Sequence, residues 1–223
     1  MQNNMTDQFL SNNWGQYILL EREFLQTLQY VNLDAENAKT FSHAYQKLLL
    51  GLGSEVDVAL KFYCKSITKG FRGATINKYC ECITNSKRDF VAQVVKTIHT
   101  EQKIQPWINW QSGNSPFWWK AYNAIKHNRP GVEEINGIKQ SNYKFANQGY
   151  TLQALAGLFQ IMVYAYYDIA VAEEKKITTP LPGSKLFRLI GNSWDDINFY
   201  GDSAFYVDKQ TGQLIYETNP LLY

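Results

Sequence analysis

From Leu152 to Ala172 the chain is almost unbroken in apolar side chains, long enough as a helix to span a bilayer. Gln153, Gln160 and Asp168 interrupt the run, and Tyr150, Tyr164, Tyr166 and Tyr167 flank or punctuate it. A helix that is apolar all round but carries such polar groups fits a buried position inside a soluble bundle better than a lipid environment. Enough other chain must therefore fold around it. The remaining sequence can supply that cover, because 45% of the 223 residues are hydrophobic and only 19% are charged. The length suits one generous domain, or a domain with an appendage.

Twenty-two basic and twenty acidic side chains leave a formal charge of +2, so no bulk pull toward nucleic acid or membrane is implied. A local basic patch is compatible with that balance. Three cysteines cannot all pair, and Cys80 and Cys82 lie too close to suggest a disulfide framework, which favours a reducing, cytoplasmic setting. The Asn/Gln-rich start, Met1 to Asn13, has neither the basic residues nor the apolar core of a signal peptide.

Tyr17, Leu20, Phe24, Leu28 and Val31 recur at helical spacing and predict a helix from about Trp14 to Val31. A second, longer helix is expected over Ala38 to Ser66, with Phe41, Tyr45, Leu48, Leu52, Ala59 and Phe62 on its stripe. Glu55 stands on that stripe where an apolar residue belongs, and Asp57 follows it. Thr75 can cap a short helix through Ile83. Between Ala92 and Trp110 the pattern suits a helix or a hairpin, and the β-branched residues favour a hairpin over 92–108. Ser115-Pro116 reads as the start of a helix that Pro130-Gly131 ends. The last long helix is expected over Ser141 to Glu174. Beyond Thr178, two apolar runs flank Asp208 to Gly212 and predict a β-hairpin.

The densest cluster of chemically useful groups lies between Trp118 and Arg129. On a helix, Lys120, Asn123 and His127 share one face, while Lys126 and Arg129 add positive charge at the C-terminal end. An imidazole beside cations able to stabilise a phosphate is a workable arrangement for RNA cleavage. It is equally an ordinary solvated helix end, with His127 capping the last carbonyls. Trp118 and Trp119 are adjacent and face different ways, so one belongs to the core and the other is a candidate for stacking a base. A carboxylate on an apolar stripe implies a partner. Glu55, and with it Asp57, is therefore expected to meet Lys126, His127 or Arg129 across the bundle, as a structural or a catalytic ion pair. Cys80 and Cys82 lack a second ligand pair, and His43 and His99 lie in separate segments, so neither metal nor cofactor is expected.

The stretch Trp118-Trp-Lys-Ala-Tyr-Asn-Ala-Ile-Lys-His-Asn-Arg129 resembles the HEPN superfamily (higher eukaryotes and prokaryotes nucleotide-binding) of helical bundles, which includes many RNases of toxin–antitoxin and phage-defence systems. It looks like the YN-x-x-KH-x-R segment of uncharacterised bacterial members. A long helix with Gly53-Ser-Glu-Val-Asp-Val58 precedes it, and an Ala/Leu-rich helix follows from Asn147. The resemblance covers about Trp14 to Ala172. It implies a paired, RNA-directed domain. Asn123 and His127 match the polar residue and the His of the family's nuclease motif, whereas Tyr122 stands where that motif has Arg.

The expected protein is mainly α: an up-and-down bundle of four to five helices over residues 1–178, with a hairpin excursion and a C-terminal β-hairpin extension over 179–223. As a HEPN-like protein it is expected to be a homodimer and a non-catalytic module for RNA, a nucleotide or a protein such as an antitoxin, with Lys120, Trp119 and Tyr122 in contact with RNA or nucleotide. The alternative is a metal-independent endoribonuclease. There His127 would be the base, Asn123 would orient it, Lys126 or Arg129 would stabilise the phosphate, and Glu55 would hold the cations.

Overall fold

A computed structural model describes residues 5–191, 200, 205–208 and 210–216. Helix α1 (Met5–Phe9) passes through a π-helical turn, Leu10–Trp14, into α2 (Gly15–Thr27), so the first helical rod begins earlier and ends sooner than its apolar stripe suggests. Tyr17, Leu20 and Phe24 are buried along it. Residues Glu36–Lys39 form a 3-10 turn rather than the start of the second helix. Helix α3 (His43–Ile67) starts at Ser42, whose side chain accepts the Tyr45 N–H at 3.1 Å. Helix α4 (Ile76–Ser86) has the expected Thr75 cap, which accepts from Lys78 N. Helix α5 (Phe117–Asn128) is entered from Pro116, and Ser115 is not its cap. Helix α6 (Gln148–Ala172) is capped by Asn147, which accepts from Tyr150 N at 2.9 Å. Counting α1 and α2 as one rod, the helices number five among the described residues.

The apolar run is the centre of the fold. Helix α6 is buried over nearly its whole length and packs against α2, α3 and α5. Two of its polar interruptions find partners inside the protein: Gln160 Nε2 donates to Phe90 O at 2.6 Å, and Asp168 meets both Lys87 Nζ at 2.8 Å and Tyr63 Oη at 2.9 Å. Among the described residues it is the one helix long and apolar enough to cross a membrane, and the fold encloses most of it.

The expected hairpin forms from β1 (Val94–Thr97) and β2 (Lys103–Ile104), paired antiparallel with Val95 opposite Ile104. It gains a third strand, β5 (Phe187–Ile190), which lies antiparallel to β1 with Val95 opposite Leu189. Between α5 and α6 the chain makes a further hairpin, β3 (Val132–Ile135) and β4 (Ile138–Ser141), and then a 3-10 turn, Asn142–Phe145, where the last helix was expected to begin at Ser141. Asn136 and Gly137 form its two-residue turn with φ of 52° and 71°. The C-terminal hairpin is present as β6 (Phe205–Val207) and β7 (Leu214–Tyr216).

The chain beyond residue 178 is fastened to the helices by a residue that the sequence reading passed over. Glu21 on α2 is 2% exposed. Its carboxylate accepts from Tyr17 Oη at 2.6 Å, from Ser184 Oγ, from Lys185 N at 3.0 Å and from Leu186 N at 3.3 Å. Trp14 Nε1 adds a bond to Pro182 O at 2.9 Å. The strap that leads into β5 is thus clamped onto the first helix rod.

Candidate functional site

Helices α3 and α5 cross where Gly53 meets Tyr122. A Cβ at Gly53 would lie 2.3 Å from the Tyr122 ring, so only glycine allows this approach. Tyr122 is 4% exposed and packs on Trp119 with ring centroids 5.1 Å apart. Trp119 is itself buried, edge-on to Trp118, whose Nε1 donates to Pro106 O at 2.8 Å. Neither Trp119 nor Tyr122 is therefore a surface for stacking a base, because both rings are committed to the core.

The polar members of the cluster divide. Asn123 donates to Trp119 O, one turn back on its own helix, at 3.0 Å, and does not bond His127. Lys120 lies 5.6 Å over the Phe117 ring and Lys126 lies 5.3 Å over the Tyr122 ring. Lys120, Lys126, His127 and Arg129 are all exposed, and none makes an ion pair among the described residues. His127 does not cap the helix. That task falls to buried Asn142, whose Nδ2 donates to Asn128 O at 2.7 Å and to Ala124 O at 3.4 Å.

The expected pairing of Glu55 with these cations is absent. Glu55 has no hydrogen bond or ion pair among the described residues, and burial pushes its carboxyl above the ordinary value. Asp57 faces α4 instead, where Tyr79 sits. The Tyr79 hydroxyl is pushed up to about 12, first by burial and then by the nearby Asp57 carboxylate.

What the fold does bring to the C-terminal end of α5 is a cavity of about 580 Å³ lined by Phe41, Ser42, His43, Gln46, Arg129, Pro130 and Tyr143. Three segments far apart in sequence build it. Asn142 pins the 3-10 turn against the end of α5 and so places Tyr143 beside Arg129. The extended residues before α3 are tied to the start of α6 by Ser42 N to Ala146 O at 3.3 Å and Gln148 N to Thr40 O at 3.0 Å. Phe41 and Tyr143 meet edge to face at 5.7 Å, and Lys144 Nζ lies 5.8 Å over the Phe41 ring. The two rings remain 45% and 42% exposed. No carboxylate lines the cavity, and Arg129, His43 and Lys144 make no ion pair among the described residues. Half-exposed rings beside unpaired cations suit a planar, negatively charged group.

Of the candidate site residues named from the sequence, Arg129 alone lines this cavity, Phe41 having been assigned to an apolar stripe and His43 weighed only as a metal ligand. Phe41, His43, Gln46 and Tyr143 were missed, because their proximity depends on the β3–β4 hairpin and the 3-10 turn. Among the described residues no group of His, Cys, Asp or Glu could hold a metal ion, and the three cysteines are free thiols. Compared with protein-family models, with curated proteins and with solved structures, the chain has no significant match. The class that fold and site define is thus a mainly α-helical protein with an aromatic, cation-rimmed cavity at one end of its α3–α5 pair.

Proposed function

We propose that this chain is a HEPN-like, cytoplasmic module that binds RNA or a nucleotide without cleaving it. The observation that carries the reading is the cavity in which Arg129 and His43 join the half-exposed rings of Phe41 and Tyr143 with no carboxylate among them. Lys126 and His127 extend the same positive end of α5, where they can meet neighbouring phosphates. Two features favour binding over cleavage. The place of the family's motif Arg is taken by Tyr122, whose ring is buried under Gly53, and Asn123 is occupied by its own helix backbone. The free cysteines accord with a reducing location.

One observation favours the second reading, a metal-independent endoribonuclease: the cavity holds an imidazole, His43, together with Arg129, two residues beyond His127. The test is fluorescence anisotropy with an end-labelled single-stranded RNA, followed by a gel of the same RNA after incubation without metal. Binding that falls at least roughly tenfold in the Lys126→Ala/Arg129→Ala variant, weakens with salt, and leaves the RNA intact supports the binding module. RNA cut by the wild type but not by His127→Ala or His43→Ala supports the ribonuclease. No RNA binding at all removes both.

A further inference from the structure

We infer that the Phe41–Tyr143 cavity takes one unstacked nucleotide, so that the protein selects single-stranded RNA ends or loops over duplex; this rests on the RNA-binding reading. Volume comes first. At about 580 Å³ the cavity falls among sites for small ligands, roughly 300–1,000 Å³.

Chemistry comes second. Phe41 and Tyr143 supply aromatic surface that the fold leaves about half uncovered, although the protein buries most of its other large rings. A base can pack on such surface only when it has left its stack. Gln46 lines the same cavity, and its side-chain amide has no partner among the described residues. It can donate to and accept from the edge of a base, which a duplex would already have engaged in pairing. Arg129 stands at the rim with a guanidinium that can grip a phosphate through two parallel bonds.

Charge comes third. Lys144 lies over the Phe41 ring beside the cavity, and Lys126 and His127 precede Arg129 on the last turns of α5, so positive charge is available for the phosphates on either side of the inserted nucleotide. An acidic peptide would satisfy Arg129 but would leave the Gln46 amide and most of the ring surface without a planar partner.

The experiment compares one labelled single-stranded RNA with the same strand annealed to its complement, using wild type, Tyr143→Ala, Phe41→Ala and Tyr143→Phe, each checked by circular dichroism and thermal melting. Both rings are half-exposed, so these variants are expected to keep the fold. The single strand should bind at least roughly tenfold more tightly than the duplex, and each Ala variant should lose roughly five- to tenfold for the single strand alone. Tyr143→Phe should retain wild-type affinity. Equal binding of strand and duplex, unaffected by the ring substitutions while Arg129→Ala still weakens it, overturns the nucleotide pocket and leaves the RNA-binding reading standing. Absence of RNA binding in wild type overturns both.

Discussion

Gly53 shows how much one missing Cβ can decide. A methyl group there would drive into the Tyr122 ring at 2.3 Å, and that ring is itself packed against Trp119. Gly53→Ala should therefore lower unfolding stability by about 1–3 kcal/mol in a urea titration, despite alanine's better helix propensity. Combining it with Tyr122→Leu should recover part of the loss, since the two residues compete for one space. Glu55 makes the opposite case. Its carboxyl is raised by burial, so the folded chain takes up a proton at higher pH than the unfolded one does. Its charge costs stability at neutral pH, and the cost fades as pH falls toward the ordinary carboxylate range. Glu55→Gln should melt higher than wild type at pH 7, and the two curves should converge at acid pH. A constant difference would mean that Glu55 does not carry that pH dependence. The irregularity of Glu55 was legible in the sequence. Its supposed partners were not, because register along α3 does not say what lies opposite.

At the scale of elements, two carboxylates hold segments together without relying on surface charge. Asp168 joins α6 to α3 through Tyr63 and to the chain after α4 through Lys87. Burial, and then the Asp168 carboxylate, raise the Tyr63 hydroxyl well above its usual range. Asp168→Ala should cost about 1–3 kcal/mol by chemical denaturation, because it strands a partly buried ammonium and a hydroxyl at once. Glu21 does more, receiving two hydroxyls and two backbone N–H groups from α2 and the 184–186 strap. Glu21→Gln, which replaces an acceptor oxygen with a donor, should cost about 2–3 kcal/mol and speed amide exchange at Leu186 and Leu189. Unchanged exchange there would show that the strap is held by its apolar residues instead. Most elements could be read from periodicity and capping residues, and the errors are specific. The Asn136-Gly137 pair is a strong hairpin signal that the expected elements left out, the last helix starts at Gln148 rather than Ser141, and Ser115 is not the cap of α5.

For the molecule as a whole, the division at residue 178 is one of sequence character rather than of packing. Strand β5 supplies a partner for β1, its Phe187 and Leu189 belong to the core, and Ile177 exchanges backbone bonds with Phe205. A chain ending at Thr178 should lose the β5 edge and expose the apolar surface beneath it. Its melting temperature should fall by more than about 10 °C, or the protein should aggregate, as checked by scanning calorimetry and gel filtration. An undiminished melting temperature would make the tail a true appendage.

By itself the sequence determined the class of the fold. An apolar stretch with a few polar groups has to become a central helix, and period and caps then dictate which segments can cover it. Only the tertiary structure decided what stands at the end of α5. Phe41, His43, Gln46 and Tyr143 come from segments about a hundred residues apart, brought to Arg129 by the Asn142 side chain and by backbone bonds between residues 40–42 and 146–148. Local spacing reports which side chains share a helix face. It carries no information about contacts that close long loops, and the cavity is made of nothing else.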